Sequence, residues 1–503
     1  MAKKTLDNQI NLGELGAAER VAGSKLLLKV GKQRYLTDIG KEYREGEDEE
    51  PLEFNPERID HLILTHGHAD HMGAMLKMTT KGYDGKIYST KETADITDLQ
   101  LNQQISSPFI HNRMVKGKRY KAGPRKGQWV SFQKILYQND DRKKAMAQFA
   151  SSDGETPGYD YGENIKLSKD VDITFYDAGH IPGSAQILFN INHKGEKRKL
   201  LTAYDLGRTD YKILRHPVAN IPIVRYPHKD FPKSIDYIVV ESTYGDKVHT
   251  NIEDSIKILE DAAKDAAKKK GKLIIPAFSV MRTHILLSFL YMLEQEGRLP
   301  KDMMFYSSSP MADKVSKIIL NHLQNVDEQS KKDFADPDYN PFKFDKLINH
   351  KKIAETRELL KSGTTPWGIV ASSGMCEAGR IVPILEQTLN DPKNIVLITG
   401  YAAYGTKAYM MIKGEKKIPF ANGMIDVKAD IRRMGGLSGH ADKKEIIAHL
   451  KNIRDPEDGK QFKGIFIKHG EKDACYKLKD SIIEAGYNPK KVHVMIKDEP
   501  YVL

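Results

Sequence analysis

The stretch "ILTHGHADHMG", residues 63–73, places His66, His68, Asp70 and His71 within six positions. Neutral imidazole nitrogen and carboxylate oxygen are the donors that a zinc-type cation prefers, and close spacing on one loop lowers the entropy cost of converging on an ion. His66 and His68, two apart, can grip one metal, while Asp70 and His71 can turn to a second. A lone loop histidine is ordinarily just solvated. Four donors in this order make a metal site the better reading.

Donors must be delivered by something rigid. The short apolar run "HLILT" reads as a strand that ends at the motif, and "HMGAMLKM" reads as a helix start after it. The same delivery recurs in "QRYLTDIG" for Asp38, "ITFYDAGHIPGSAQ" for His180 and "KLLTAYDLGRTD" for Asp205. Each is an apolar run ending in a polar residue beside glycine. Taken singly, an aspartate in "LTDIG" or "AYDLG" is a turn residue; ordered together with the histidine motif, the four loops read as one set.

At 503 residues the chain exceeds what one core usually organises, so two domains or more are expected. Around residue 213 the texture turns Pro-rich, and from "YIVVESTYG" onward strand, helix and loop units alternate, with helices over 252–270 and near 281–297. That alternation indicates a parallel α/β domain. Near residue 430 ligand-type motifs return in "GGLSGHAD" and "GIFIKHGEKD", flanking a helix over 443–453. The expected division is a discontinuous first domain, 1–212 and 430–503, interrupted by a second at 213–429.

Two cysteines, Cys376 and Cys475, exclude a disulfide framework and fit a cytoplasmic setting, and neither sits in a CxxC pair that could hold metal. The apolar clusters are core-sized, so no membrane partner is expected, and "MAKKTLDNQI" lacks an apolar signal core. A net charge of +11 suits an anionic partner, nucleic acid foremost.

"THGHADH" resembles the HxHxDH signature of the metallo-β-lactamase fold, with Asp38, His180 and Asp205 in the order that family's other motifs require. The resemblance implies an αββα sandwich. It further implies that His66, His68 and His180 hold one zinc, Asp70 and His71 another, that Asp205 bridges two ions per chain, and that Asp38 orients ligands from behind. Tyr204 stands where small residues are more usual, a departure that could alter local access.

The later motifs "VVESTYGD", "IPAFSVMRTHILL", "SSPMADK", "VASSGMCEAGR" and "GYAAYGTKAYM" are similar to those of the β-CASP nucleases, the branch that includes the nuclease subunit of the pre-mRNA cleavage and polyadenylation factor. The similarity runs over roughly residues 12–495. It implies that the inserted unit is a parallel α/β β-CASP domain, and it matches Glu241 to motif A, His440 to motif B and His469 to motif C. Histidine at motif C marks the RNA-directed branches, where it completes the second zinc's coordination; the DNA-directed branch has valine there. The implied activity is hydrolysis of single-stranded RNA to 5′-phosphate and 3′-hydroxyl products by endonuclease cutting, 5′-exonuclease cutting or both. A histidine beside the metals is a suitable proton donor near neutral pH, so His440 is the expected general acid with Glu241 orienting it.

Weaker features are read two ways. Ser307, Ser308, Ser372, Ser373 and Lys407 lie at strand ends that could cradle phosphates or be plain turns, and Ser438 is placed beside His440. Residues 101–139 contain no acidic side chain, and Lys118 and Arg119 with Tyr120 and Trp129 could track and stack an RNA strand or form a solvated basic face. Rival readings are a non-catalytic RNA-binding scaffold, a DNA-directed enzyme and a small-ester hydrolase; a homodimer is compatible with each.

Overall fold

The computed structural model describes residues 9–41, 51–106, 113–119, 129–132, 137–208, 234–326, 328–400, 402 and 405–503, with the backbone alone at 106, 113–119, 129–132 and 328. Two mixed sheets form the first layer pair. One runs in the order Pro500–Val502, Ile10–Gly16, Lys25–Val30, Gln33–Thr37, His61–Ile63, Lys86–Tyr88. The other runs Val492–Val494, Gly464–Ile467, Tyr237–Val240, Glu196–Ala203, Ala185–His193, Val171–Asp177, Asn164–Lys166.

Strand alternation explains why these sheets are sandwiched between helices. Ile187 and Phe189 join Leu26, Leu28 and Ile63 in the core between the sheets, whereas Leu188 faces the opposite side with Leu450 and Leu478 of the helices Lys443–Ile453 and Lys472–Glu484. On the far side, Leu36 and Leu62 pack against Met75, Leu76 and Leu101 from the helices Met75–Thr80 and Lys91–Ser106. The layers are therefore helix, sheet, sheet, helix, as the motif resemblance implied.

The insertion is a six-stranded, all-parallel sheet in the order Leu347–Asn349, Met304–Ser308, Trp367–Ala371, Lys272–Pro276, Ile395–Ile398, Asp430–Arg433. Its central strands are apolar on both faces because helices cover both: Leu273 and Ile275 meet Leu259 and Leu286, while Ile274 meets Ile384 and Met411. Strand pairing crosses the division drawn from the sequence at both ends. Tyr237–Val240 pairs with Glu196–Ala203 and Gly464–Ile467 in the sandwich, although it follows residue 213, and Asp430–Arg433 pairs with Ile395–Ile398 in the inserted sheet, although it follows residue 429. No helix among the described residues is long and apolar enough to cross a membrane.

One edge of the sandwich collects strand ends. Glu196–Ala203, Tyr237–Val240 and Gly464–Ile467 are parallel neighbours in register, with Ala203 opposite Val240 and Val240 opposite Ile467. Gln33–Thr37 and His61–Ile63 are likewise parallel, with Thr37 opposite Ile63. Carboxyl ends of adjacent parallel strands are where open α/β sheets place their sites.

Candidate metal centre

Each of those ends hands a side chain to the same cleft: Asp38 after Thr37, the histidine motif after Ile63, Asp205 after Ala203, Glu241 after Val240 and His469 after Ile467. Asp38, Asp205 and His469 all take positive φ, at 64°, 40° and 55°. Non-glycine residues adopt that conformation at a cost, and it concentrates at functional loops. His180 comes from the turn between the antiparallel strands Val171–Asp177 and Ala185–His193.

Two donor groups form. In the first, His68 Nδ1 lies 3.1 Å from His66 Nε2 and 3.2 Å from His180 Nε2, and Asp205 Oδ2 lies 3.3 Å from His66 Nε2 and 3.6 Å from His180 Nε2. In the second, His71 Nε2 lies 3.1 Å from His469 Nε2, and Asp70 Oδ2 lies 4.0 and 3.8 Å from those two nitrogens. Asp205 Oδ2 is also 3.3 Å from His71 Nε2, so one carboxylate stands between the groups. Both of its oxygens are buried without a hydrogen-bond donor among the described residues. A buried, unsatisfied carboxylate ringed by imidazole nitrogens fits a cation far better than it fits a closed hydrogen-bond network.

The far nitrogens are held from behind. His71 Nδ1 sits 2.7 Å from Asp38 Oδ2, and Asp38 in turn accepts from the Thr65 amide and hydroxyl. His180 Nδ1 donates to the Gly439 carbonyl at 2.9 Å, His66 Nδ1 meets the Thr65 hydroxyl at 3.1 Å, and His469 Nδ1 meets the Thr243 hydroxyl at 3.3 Å. Such contacts fix the tautomer and the ring plane, leaving the inward nitrogen for the ion. Thr65, Thr243 and Gly439 were not singled out from the sequence, although each lies inside a motif that was.

Electrostatics agree with this division for four of the five imidazoles. Burial pushes His66 and His180 well below the usual imidazole range, and His68 and His469 down to about 4, so their lone pairs are free at neutral pH. For His71 burial acts the same way, but the carboxylates of Asp205 and Asp38 outweigh it and raise the group well above that range. Burial would raise Asp205, yet His469 and His71 beside it hold the carboxyl well below the ordinary range.

A third group adjoins the second and first. His440 Nδ1 lies 2.9 Å from Glu241 Oε2 and 4.0 Å from Asp205 Oδ2, and its ring centroid is 4.5 Å from that of His180. Burial lowers His440, but Glu241 and then Asp205 raise it further, to about 9, so the ring carries a proton at neutral pH. Its side chain is 17% exposed where Glu241 is fully buried, which leaves the Nε2 edge as the reachable one.

The expected phosphate contacts are not gathered in the same way. Ser307 and Ser308 are buried, and the Ser308 hydroxyl meets Thr356 Oγ1 at 2.8 Å, so the strand end turns both hydroxyls into the fold. Ser372 lies 3.3 Å from the Ser309 hydroxyl, Ser373 donates to the Ala378 carbonyl, and Lys407 pairs with Glu377 at 3.0 Å. Ser438 is mostly buried and accepts the His440 amide at 3.1 Å. Tyr204 is buried in the inter-sheet core, so it does not shape access to the cleft. The side chains of Lys118, Arg119 and Trp129, and all of Tyr120, lie outside the described residues.

Comparison with known proteins agrees with this architecture. Residues 27–187 match the model of the metallo-beta-lactamase superfamily, 283–411 that of the Beta-Casp domain, and 424–495 that of the Zn-dependent metallo-hydrolase RNA specificity domain. Ribonuclease TTHA0252 of Thermus thermophilus is 28% identical over 470 residues, covering 92% of this chain and 94% of that protein. Transcription termination factor FttA of Methanosarcina mazei is 26% identical over 488 residues, covering 95% of this chain and 69% of that protein. A crystal structure of a protein of unknown function from Enterococcus faecalis V583 superposes with a TM-score of 0.52 at 12% identity, covering 98% of this chain and all of that one, a likeness of fold. The chain therefore carries, in order, a metallo-β-lactamase domain, a Beta-Casp domain and a metallo-hydrolase RNA specificity domain, the make-up of a metal-dependent hydrolase.

Proposed function

We propose that the protein is a zinc-dependent ribonuclease that hydrolyses phosphodiester bonds of single-stranded RNA, leaving 5′-phosphate and 3′-hydroxyl ends. The observation that carries this reading is the position of His440: an imidazole held by Glu241 at 2.9 Å, beside a carboxylate shared by two donor groups. A thiolate, as in thioester hydrolysis, departs without such an acid, whereas a ribose 3′ alkoxide needs a proton. The match of residues 424–495 to the RNA specificity domain and the likeness to a Thermus ribonuclease favour RNA over DNA.

His66, His68 and His180 would hold one ion and Asp70, His71 and His469 the other, with Asp205 between. Two zinc ions so placed supply hydroxide at neutral pH and offset charge on the phosphate. The residues then divide the remaining work. When the bond between phosphorus and the 3′ oxygen breaks, His440 would give its Nε2 proton to that oxygen. Glu241 keeps the ring oriented through Nδ1 and balances its charge. Asp38 holds His71 in plane. The setting we propose is the cytoplasm, where Cys376 and Cys475, both buried and unpaired, stay reduced.

Digestion of one RNA prepared with 5′-triphosphate, 5′-monophosphate or 5′-hydroxyl ends tests the reading and separates its two modes. Equal internal cutting of all three identifies an endonuclease, and release of mononucleotides from the monophosphate form identifies a 5′-exonuclease. No cleavage of any form by zinc-loaded protein contradicts the proposal.

A further inference from the structure

Behind the centre lies a second set of charges that the proposed chemistry does not use. Lys468 immediately precedes His469, and its side chain is fully buried. Its Nζ lies 2.8 Å from Oε2 of Glu14, which is equally buried, and 4.7 Å from the centre of the Tyr204 ring. Glu14 is pinned in turn by the Gly16 amide, which donates to its Oε1 at 2.9 Å. Lysine and glutamate are rarely buried completely, and a buried pair of this kind is seldom more stabilising than apolar residues of the same volume. Stability is therefore a weak reason for its presence.

The pair is wired to the centre in one direction. Lys468 Nζ donates to the Ser24 hydroxyl at 3.3 Å, and Ser24 Oγ donates to Asp38 Oδ2 at 3.4 Å. That same oxygen faces His71 Nδ1 at 2.7 Å. Lys468, Ser24, Asp38 and His71 are all fully buried, so water does not compete for any of these contacts. The route thus begins one residue before His469 and ends on His71, the two imidazoles that stand 3.1 Å apart in the second donor group. Burial raises the Glu14 carboxyl to about 7, with Lys468 the main influence pulling it down. When the ammonium is removed, Glu14 can accept a proton rather than remain a stranded charge.

We propose that Lys468, with Glu14 as its counterion, is a positioning residue for the half of the centre built from Asp70, His71 and His469. Acting through Ser24, it orients the Asp38 carboxylate that aims His71 Nε2, and its own backbone sets the start of the His469 turn. The inference rests on reading that half as a metal site.

The test is a Co(II) titration of the metal-free full-length protein, followed by visible absorption, on the parent, Ser24→Ala and the double variant Glu14→Leu/Lys468→Met. The parent should take up two equivalents. In the double variant, the thermal midpoint should stay near the parent's, the first equivalent should bind as before, and the second should bind about tenfold more weakly with an altered spectrum. Ser24→Ala should weaken the second equivalent in the same sense and by less. Parental affinity and spectrum for both equivalents, or equal weakening of both, would overturn the proposal. If the double variant does not fold, Ser24→Ala decides, and an unchanged second equivalent overturns it. A parent that takes up fewer than two equivalents instead defeats the two-ion reading itself, and the inference with it.

Discussion

His440 and Glu241, 199 positions apart in the chain, meet at 2.9 Å through Nδ1 and Oε2. The contact joins a loop that follows the inserted domain to a strand end that precedes it. It also engages Nδ1, so Nε2 is the ring nitrogen of His440 that Glu241 does not hold.

A general acid is needed only when the leaving group is poor. His440→Ala should therefore slow cleavage of single-stranded RNA by about a hundredfold or more, while hydrolysis of an aryl phosphodiester, whose phenolate leaves unaided, changes by only a fewfold. Metal content by mass spectrometry should equal the parent's. Equal losses on both substrates would remove the general-acid role.

Glu241→Gln keeps the shape of the contact and removes its charge. We expect a loss of about tenfold or more on RNA with no loss of bound metal, measured by initial rates beside metal analysis. A variant that loses metal in proportion to activity would place Glu241 among the ligands instead.

Asp38 touches no substrate, yet it aims His71 Nε2. Asp38→Asn should weaken binding of one metal equivalent by about 10- to 100-fold, measured by competition with a chromophoric chelator. Excess zinc should then restore most of the rate, which a misfolded variant would not permit.

How much of this was readable from the chain follows from what each residue needs around it. His66, His68, Asp70 and His71 announce themselves because one loop carries all four. His469 stands 398 positions from His71 and 3.1 Å away, a contact that no spacing rule foresees; only its motif pointed to it. Thr65, Thr243 and the Gly439 carbonyl were missed because a hydroxyl or carbonyl behind a ligand has no signature of its own. Ser307 and Ser308 looked like phosphate contacts because a strand end reads the same whether its hydroxyls face the cleft or, as here, the interior. The alternating texture correctly indicated a parallel inserted sheet, but Tyr237–Val240 carries the same apolar texture and belongs to the sandwich through long-range pairing.

Acid should reveal one support of the inserted domain. Glu260, on the helix Ile252–Lys268, is gripped by Arg298 at 2.6 Å and by Lys264, which hold its carboxyl down at about 2. A depressed folded-state pKa contributes stability above the unfolded value near 4.5 and loses it as pH falls toward 2. Both cations reach solvent, so Glu260→Gln should cost roughly 0.5–1 kcal/mol at pH 7 by thermal unfolding. The difference from the parent should shrink steadily below about pH 4. A difference that persists unchanged at the lowest pH would point to packing rather than charge.

The central claim is that protein-bound metal drives water, and not the ribose 2′-hydroxyl, onto phosphorus. Cleavage of a defined single-stranded RNA in heavy-oxygen water, before chelation, after it and after zinc is restored, measures this directly by mass spectrometry of the new ends. The account predicts cleavage that stops on chelation and returns with zinc, with one heavy oxygen in each new 5′-phosphate and none in the 3′-hydroxyl. New 5′-hydroxyl and 2′,3′-cyclic phosphate ends, or cleavage indifferent to chelation, would contradict it.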